Sequence, residues 1–308
     1  MKIIDATATR EALPFDRLIE AIRQMFLADC AVPLRHVHSL EGGTVLIMPA
    51  WHGRYLGIKT VNIFPGNAAR GLPGLFSSYL LCDASTGEPL AQIDGNEITA
   101  RRTAAASALA ASRLARADAT SLLVIGTGRI AALIPSAYRV VRPIRQVWVS
   151  GRRAEPTEAL VASLRSQGFE AHAVDDLARR TGQVDIVSCA TLATEPVVQG
   201  RWLRDGSHLD LIGSFTPAMR EADDDCFVGA ALYVDTLEGL SKSGDLIGPI
   251  ARGVISTDSV RGTLVELSAL EGRIESSSRT VFKSVGTALE DLAAAILVFE
   301  QSAGTPAV

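Results

Sequence analysis

The spacing of apolar residues divides the chain into two halves of different texture. Near the amino terminus, apolar side chains recur every three or four residues over 16–28, which is typical of a helix with one buried face. Short apolar runs separated by glycine and proline follow, and they predict strands at residues 44–48, 55–64, 77–82 and 90–93. A long alanine-rich helix over about 100–116 closes this half. We therefore expect it to be α+β, with an antiparallel sheet.

From residue 121 onward, predicted strands alternate with predicted helices. The strands are expected at residues 122–125, 146–149, 186–189, 208–212 and 231–234. The helices are expected at 130–141, 156–167 and 219–226, and a strongly apolar helix over 284–300 ends the pattern. Such alternation predicts an α/β fold with a parallel, doubly wound sheet. We expect a first domain over 1–117, a second over 118–285, and residues 286–308 packing back onto the first.

A glycine-rich turn follows the first strand of the second half. It reads Gly126-Thr127-Gly128-Arg129-Ile130-Ala131. Gly126 would form the tight turn, Gly128 would let phosphates approach the backbone, and Ala131 would let the next helix pack close to the strand. The first N–H groups of that helix could then hold a pyrophosphate. The pattern predicts a dinucleotide site that includes Thr127, Arg129 and Ile130, although an ordinary strand-to-helix turn is the alternative.

Composition narrows the class of protein. The 308-residue chain is 47% hydrophobic and carries a net charge of -4, which argues against the basic face of a nucleic-acid-binding protein. The apolar run at 293–299 is far shorter than the roughly 20 residues of a membrane helix, and residues 1–5 do not resemble a signal peptide. The four cysteines and five histidines show no metal-ligand spacing. We expect a cytoplasmic protein with free thiols and without a metal.

Four stretches together resemble the ornithine cyclodeaminase/μ-crystallin family. They are Lys59-Thr60-Val61-Asn62, the run ITARRTAA at 98–105, Gly126-Thr127-Gly128, and the run TVFKSVG at 280–286. They occur in the family's order and span about residues 35–291. The resemblance implies a homodimer with a substrate and dimerisation domain and a Rossmann domain that binds a nicotinamide cofactor. It also implies that the substrate is an α-imino or α-amino acid.

Arg102 is a candidate ligand for a substrate carboxylate. Thr99 is a good N-cap, so Arg102 is expected in the first turn of the alanine-rich helix. A cation near a positive helix end is poorly placed for stability but well placed to hold an anion. Its guanidinium can grip a carboxylate with two parallel hydrogen bonds. An ordinary surface salt bridge is the alternative, and the resemblance favours the substrate-binding role.

Lys59 lies inside an apolar strand, on one face with Val61 and Ile63. An unpaired ammonium is unfavourable there, so Lys59 either reaches solvent or meets an anion. The resemblance implies that Lys59 contacts the substrate, and that Arg35 does so as well. Arg35 could equally belong to a solvated loop. Together with Arg102, these cations would orient the substrate's α-carbon toward the nicotinamide.

Two departures from the family pattern bear on the reaction. Ornithine cyclodeaminases carry a glutamate where Leu46 stands, and a catalytic aspartate where Phe215 stands. Loss of ammonia is therefore not expected, and the run at 213–221 resembles the branch that reduces cyclic ketimine carboxylates. In that reaction a hydride adds to C2 and gives L-proline or L-pipecolate. Ser214 is a candidate catalytic hydroxyl near the ring nitrogen, although Ser214 and Thr216 could equally be turn residues.

The end of the second Rossmann strand bears on cofactor choice. An NAD-specific fold carries an acidic residue there, whereas this chain has Ser150, Arg152 and Arg153. A 2′-phosphate would favour these side chains, so NADPH is the expected cofactor and NADH is possible. A solvated arginine loop is the alternative.

Further cofactor contacts are expected where later strands end. Ligands bind at the carboxyl ends of parallel strands, which places Cys189, Ala190 and Thr191 under the cofactor. The resemblance implies that Ser284 and Gly286 lie near the nicotinamide, although both could simply begin a helix.

Several functions remain compatible with the sequence. A ketimine reductase is the first. An alanine-type amino-acid dehydrogenase and a residual ornithine cyclodeaminase are the enzyme alternatives. A non-catalytic, crystallin-like binding protein with the same fold is the alternative of a different class.

Overall fold

The structure, a computed structural model, describes residues 1–275 and 277–303. Within them the chain forms two compact units. Of the described residues, the first unit comprises 1–102 and 287–303, and the second comprises 103–275 and 277–286. The first boundary falls inside the helix Gly95–Leu114, before the limit expected at 117, and the second falls one residue after the limit expected at 285.

The first unit is built from a mixed sheet and helices. Its elements are β1 (Lys2–Ile4), α1 (Ala6–Glu11), α2 (Phe15–Leu27), β2 (His36–Leu40), β3 (Gly43–His52), β4 (Tyr55–Ile63), β5 (Leu75–Asp83), β6 (Pro89–Asp94) and the start of α3 (Gly95–Leu114). The strands are ordered β1-β6-β5-β4-β3-β2, antiparallel except for the β1–β6 pair. The predicted apolar face of α2 is buried. This unit therefore has the expected α+β character.

The second unit is a parallel sheet with helical connections. Its elements are β7 (Ser121–Ile125), α4 (Arg129–Val141), β8 (Gln146–Ser150), α5 (Ala154–Ser166), β9 (Glu170–Ala173), α6 (Leu177–Thr181), β10 (Ile186–Cys189), β11 (His208–Leu211), β12 (Ala231–Val234), α7 (Gly239–Lys242), α8 (Gly244–Ala251), α9 (Leu264–Ala269) and β13 (Thr280–Lys283). The strand order is β12-β13-β11-β10-β7-β8-β9, and neighbouring strands are parallel. The strand order reverses at β7, which is where such folds bind dinucleotides. The predicted fold class is confirmed.

The chain returns to the first unit through α10 (Ala288–Ala303), which packs against α2, β3 and β4. The helix predicted over 284–300 begins four residues later than expected. Asp235 is the reason, because its Oδ2 atom accepts hydrogen bonds from the N–H groups of Val285 and Gly286. Gly286 also adopts a φ of 76°, which is incompatible with a helix.

The helix predicted over 219–226 is wrong, because only a 3₁₀ turn at Asp224–Cys226 forms there. Acidic side chains take up the backbone N–H groups that a helix would need. Asp245 accepts from the N–H groups of Glu221 and Ala222, and Asp223 accepts from the N–H of Cys226. Local side-chain hydrogen bonds of this kind compete with helix formation.

The cysteines Cys30, Cys82, Cys189 and Cys226 are free thiols. In residues 1–275 and 277–303, His, Cys, Asp and Glu side chains form no group of three or more that could hold a metal ion. Over the same residues, each helix is too short or too polar to cross a membrane.

Candidate functional site

Lys59 and Arg102 meet a pair of acidic side chains in the interior of the first unit. Lys59, on β4, is 1% exposed, and its Nζ atom lies 2.6 Å from Oδ2 of Asp291. Arg102, on α3, donates from Nε to Oδ1 of Asp291 at 2.9 Å and from Nη1 to Oε2 of Glu290 at 2.6 Å. Asp291 thus bridges the two cations, and both acids lie in the first turn of α10.

The pKa shifts in this cluster show how strongly its charges interact. Burial lowers the pKa of Lys59 to about 8, although the nearby Asp291 carboxylate opposes the shift and the charges of Arg102 and Arg35 reinforce it. Burial opposes ionisation of Asp291 as well, but Lys59 and Arg102 hold its pKa below the usual range. Lys59 and Asp291 are therefore both charged at neutral pH.

The guanidinium of Arg102 keeps one edge available. Its side chain is 8% exposed, and Nη2 makes no hydrogen bond to any residue that the structure describes. The two carboxylates fix the group from either side, so its orientation is set before a ligand arrives. A guanidinium fixed in this way can bind an anion through its open edge.

The other predicted substrate contact, Arg35, lies half-buried just before β2, and its charge reaches Lys59. Leu46 is also close. In the β3–β4 ladder it stands opposite Val61, two residues along the same sheet face from the Met48–Lys59 pair. The position that carries a glutamate in ornithine cyclodeaminases is therefore apolar and adjacent to Lys59.

One prediction about the surroundings of Arg102 is wrong, namely that Thr99 is the N-cap of its helix. The helix begins at Gly95 rather than at residue 100, and Asp94 accepts from the N–H of Glu97 at 2.7 Å as its cap. Thr99 is therefore not the N-cap, and its hydroxyl lies 3.4 Å from Lys59 Nζ instead. Arg102 lies about two turns inside α3. The carboxylates of Asp291 and Glu290 balance the charge of Arg102. The positive end of the helix is too distant to oppose it.

Sequence reasoning missed Glu290 and Asp291. The available signal was two adjacent acids in the otherwise apolar run ALEDLAAAILVF. Acids also favour the first turn of any helix, so their presence there had a simpler explanation.

In the second unit, the glycine-rich turn leaves β7 as predicted. Gly126 has a φ of 126°, and a Cβ atom there would lie 2.4 Å from the carbonyl oxygen of Ala190. Gly128 immediately precedes α4, and a Cβ atom there would meet no protein atom within 4 Å. Thr127 lies in the same turn, and Arg129 and Ile130 are the first two residues of α4. The turn thus leaves room for a phosphate at the start of α4.

The segment after β8 lies directly beside this turn. The N–H of Gly126 donates to the carbonyl oxygen of Ser150 at 2.8 Å. A Cβ atom on Gly151 would lie 2.5 Å from the side chain of Thr127. Arg152 and Arg153 are exposed, and Arg153 immediately precedes α5. The structure therefore brings Ser150 next to the glycine-rich turn and leaves both arginines accessible.

The segment after β10 adjoins the same turn. Cys189 is buried at the end of β10, and the N–H of Ala190 donates to the carbonyl oxygen of Ile125 at 2.9 Å. Thr191 follows, and its N–H and hydroxyl both donate to Glu221. These residues lie at the carboxyl edge of the sheet, as expected.

Ser214 is fully engaged within its own turn. It is buried, its hydroxyl donates to the carbonyl oxygen of Met219 at 2.6 Å, and its Oγ atom accepts from the N–H of Asp245 at 3.1 Å. Phe215, by contrast, is 37% exposed. The hydroxyl expected to serve the substrate thus stabilises the turn.

Ser284 and Gly286 follow β13, at the same edge of the sheet. The N–H of Ser284 donates to the carbonyl oxygen of Leu211 at 3.1 Å, and Asp235 holds the next two N–H groups. Ser284 and Gly286 therefore lie in a turn before α10 and are not its first residues.

Comparison with known proteins agrees with the resemblance read from the sequence. The sequence profile of the Ornithine cyclodeaminase/mu-crystallin family matches residues 8–305. A Δ1-pyrroline-2-carboxylate reductase of Paracoccus denitrificans is 43% identical over 267 residues, which cover 85% of this chain and 84% of that protein.

Solved structures give the same result. A Thermococcus litoralis Δ1-pyrroline-2-carboxylate reductase, in complex with NADH and L-proline, has a TM-score of 0.94, 34% identity and 98% coverage of both chains. An archaeal alanine dehydrogenase dimer with bound NAD has a TM-score of 0.92 and 29% identity, and the match covers 98% of this chain and 96% of that one. The resemblance is thus confirmed, and the chain belongs to the ornithine cyclodeaminase/mu-crystallin family.

Proposed function

We propose that the chain reduces cyclic ketimine carboxylates with NAD(P)H. The observation that carries the proposal is the buried cluster in which Asp291 and Glu290 fix Arg102 and leave its Nη2 edge open. Arg102 and Lys59, with Arg35 beside them, form a site for one carboxylate. The apolar residue Leu46, next to Lys59, favours a substrate without a second amino group at that position.

Reduction of a cyclic ketimine requires little from these side chains beyond binding the substrate carboxylate. A cyclic ketimine is readily protonated on its ring nitrogen by solvent, and the resulting iminium accepts a hydride at C2 while the C=N pair moves to nitrogen. Fixing the carboxylate orients C2, which supplies proximity rather than acid catalysis. Δ1-Pyrroline-2-carboxylate would give L-proline, and Δ1-piperideine-2-carboxylate would give L-pipecolate.

The glycine-rich turn fits a dinucleotide, because Gly128 leaves open space where a side chain would stand at the start of α4. A reduced nicotinamide cofactor bound there supplies the hydride. Gly126, Gly128 and the N–H groups of α4 would hold the pyrophosphate. Ser150 would face the adenosine ribose, and residues 189–191, 284 and 286 would lie toward the nicotinamide.

Ser214 has a supporting role in this proposal. Its hydroxyl is committed to Met219, so we assign it to holding the turn rather than to the substrate. Phe215 is exposed at the position of the cyclodeaminase aspartate and cannot move a proton, which disfavours ammonia loss.

The substrate assay separates the candidate functions. Purified protein and NADPH are offered Δ1-pyrroline-2-carboxylate, Δ1-piperideine-2-carboxylate, or pyruvate with ammonia, and L-ornithine is offered separately. We expect NADPH oxidation with the cyclic ketimines and no ammonia release from ornithine. Faster turnover of pyruvate with ammonia would favour an alanine-type dehydrogenase, whereas silence on every substrate would favour a binding protein.

NADPH is the proposed cofactor, because Arg152 and Arg153 are exposed beside Ser150, where a 2′-phosphate would lie. Charge-assisted hydrogen bonds to a phosphate contribute roughly 1.5–3 kcal/mol each. Arg152→Ala should therefore raise KM for NADPH about tenfold and leave KM for NADH nearly unchanged. Equal weakening of both cofactors, or a wild-type preference for NADH, would contradict this assignment.

A homodimer is also proposed, as the family resemblance implies. Apolar side chains are exposed on the β2 side of the first-unit sheet, including Val37 at 59% and Leu40 at 51%. Covering such residues by a second copy would remove apolar surface from water. Light scattering of the purified protein should give twice the chain mass, and a monomer at micromolar concentration would contradict the proposal.

A further inference from the structure

Glu221 is a buried carboxylate for which the proposed chemistry has no use. Its side chain is fully buried in the second unit. Oε1 accepts hydrogen bonds from the backbone N–H and the hydroxyl of Thr191, at 2.7 and 2.8 Å. Oε2 accepts from the N–H of Gly213 at 2.6 Å. One carboxylate therefore ties together the segments that follow β10 and β11.

The segment held by Glu221 is enclosed on both sides by glycines. A Cβ atom on Gly126 would lie 2.4 Å from the carbonyl oxygen of Ala190, and one on Gly213 would lie 2.0 Å from that of Thr191. Real side chains do not approach backbone atoms so closely. The ends of β7, β10 and β11 are thus in direct contact, and the peptide between residues 190 and 191 has little freedom to move.

Glu221 is itself held firmly. Asp245 accepts from the N–H groups of Glu221 and Ala222 at 2.8 and 3.0 Å, and its Oδ2 atom lies 3.5 Å from Nζ of Lys283. Burial raises the pKa of Glu221 to about 7, with Asp245 adding to the shift and Lys283 opposing it. Burying a carboxylate is unfavourable. Two of the three hydrogen bonds to Glu221 nevertheless come from backbone N–H groups, those of Thr191 and Gly213, at the carboxyl edge of the sheet.

We infer that Glu221 is a positioning residue that fixes the strand ends facing the nicotinamide half of bound NAD(P)H. The inference rests on the proposed cofactor site. The strand order indicates which half is concerned. β8, whose end would meet the adenosine ribose, lies on one side of β7, and β10 and β11 lie on the other. A dinucleotide that crosses at β7 therefore extends its nicotinamide half over β10 and β11.

Glu221→Gln tests the inference with little change in shape. A glutamine offers one acceptor oxygen, and its amide nitrogen would face an N–H group, so either Thr191 or Gly213 loses its hydrogen bond. Glu266→Gln is the matched control. Glu266 also accepts from the N–H and hydroxyl of a threonine, Thr263, at 2.7 and 2.6 Å, but it does so at the start of α9.

The measurement is calorimetric titration of each protein with NADPH, with NADH, and with adenosine 2′,5′-bisphosphate. The last compound carries the adenosine half alone. Glu221→Gln should raise Kd for both dinucleotides about tenfold, as expected when one hydrogen bond to a charged group is lost. Kd for the adenosine fragment should stay within about twofold of wild type. Glu266→Gln should bind all three compounds as the wild type does.

A purely structural role for Glu221 would not weaken binding of the dinucleotides while leaving binding of the adenosine fragment unchanged. If Glu221→Gln binds the dinucleotides normally, or weakens fragment and dinucleotide equally, the inference is overturned. If the wild type binds the fragment but neither dinucleotide, or binds none of the three, the proposed cofactor site fails instead. If Glu221→Gln melts before titration, Thr191→Val decides, because it keeps the backbone N–H bond to Glu221 and removes the hydroxyl, which donates to Glu221 and accepts from the N–H of Ala193. If Thr191→Val raises Kd for both dinucleotides by less than Glu221→Gln would and binds the adenosine fragment normally, the inference is supported. If all three Kd values match those of the wild type, the inference is overturned.

Discussion

The two units bury their charged groups in opposite ways. In the first unit, Lys59 and Arg102 are each paired with a carboxylate, and Asp291 bridges both. In the second unit, buried carboxylates outweigh their basic partner: Asp210, Glu221, Asp235 and Asp245 all lie within range of Lys283. The acidic side chains there are held mainly by hydroxyl and N–H groups.

The pKa directions follow from this difference. Lys59 and Arg102 keep the pKa of Asp291 low in spite of burial. Burial raises the pKa of Asp210 to about 6, even though Ser188, Tyr138 and Ser107 donate hydrogen bonds to it. We propose that the cations of the first unit bind the substrate carboxylate, and that the buried carboxylates of the second unit hold the groups that donate hydrogen bonds to them.

The largest effect is expected when the bridge in the first unit is broken. Asp291→Asn removes the carboxylate from both cations, and breaking a buried ion pair costs about 3–5 kcal/mol. We expect kcat/KM for Δ1-pyrroline-2-carboxylate to fall about 100-fold or more. Lys59 would then titrate still lower and lose its charge.

Glu300→Gln is the control, because Glu300 lies on the same helix and accepts from the hydroxyl of Tyr55 at 3.2 Å. It should retain nearly full kcat/KM. Wild-type kinetics in Asp291→Asn would mean that the bridge is only structural and would remove the contrast between the units.

Two adjacent arginines allow a sharper test. Arg102→Lys keeps the charge but loses the planar fork, so kcat/KM should fall at least tenfold, which is about 1.4 kcal/mol. Arg101 donates from Nε to the carbonyl oxygen of Leu13 and lies 4.4 Å from the ring centre of Phe15. Arg101→Lys should therefore lower the melting temperature slightly and leave the kinetics unchanged. Equal kinetic losses in both variants would contradict a specific role for Arg102.

The pKa of Lys59 predicts a pH effect on substrate binding. Lysine is charged below its pKa, so the attraction for a carboxylate should fade as the pH rises through about 8. KM for the ketimine should increase several-fold between about pH 7 and 9. Lys59→Arg stays charged over this range, so its KM should rise less. Ionisation of the substrate is common to both enzymes, and identical profiles would exclude Lys59 as the source.

The smallest effect concerns stability and separates the two units. A carboxyl group with a raised pKa binds its proton more tightly in the folded state, so the free energy of unfolding increases as the pH falls from about 7 to 5. Asp291, whose pKa is lowered, contributes a change only below about pH 4. Asp210→Asn should therefore gain less stability on acidification to pH 5 than the wild type, as measured by urea unfolding. Its three hydroxyl partners can rotate to suit an amide. A gain as large as that of the wild type would place the titration elsewhere.

The sequence was most informative where local chemistry decides the structure. The alternation around Lys59 placed it on a buried face, and the glycine pattern at 126–128 located the turn after β7. Five of the seven strands in the second unit were predicted, because buried parallel strands are apolar runs, whereas β9 and β13 were not predicted. These features need only neighbouring residues to be recognised.

The errors arose where distant residues decide. Glu290 and Asp291 meet Lys59 and Arg102 only because the chain returns to the first unit after almost two hundred residues. The segment at 219–226 has a helical composition, but Asp245 captures its N–H groups from another element. The start of α3 was misplaced because Thr99 competes with Asp94 as a cap, and only the fold selects between them. At 219–226, a tertiary contact therefore overrode the local preference for a helix.

The turn after β11 has a consequence for how reactions can change within this family. Gly213 cannot acquire a side chain, because a Cβ atom would strike the carbonyl oxygen of Thr191 and the carboxylate of Glu221. Two residues later, the side chain of Phe215 is 37% exposed, so packing constrains it less. A position that must be glycine thus lies two residues from a partly exposed one. Under the proposed function, an exchange of an acidic residue for an aromatic one at 215 would alter the reaction while the backbone held at Gly213 stays in place.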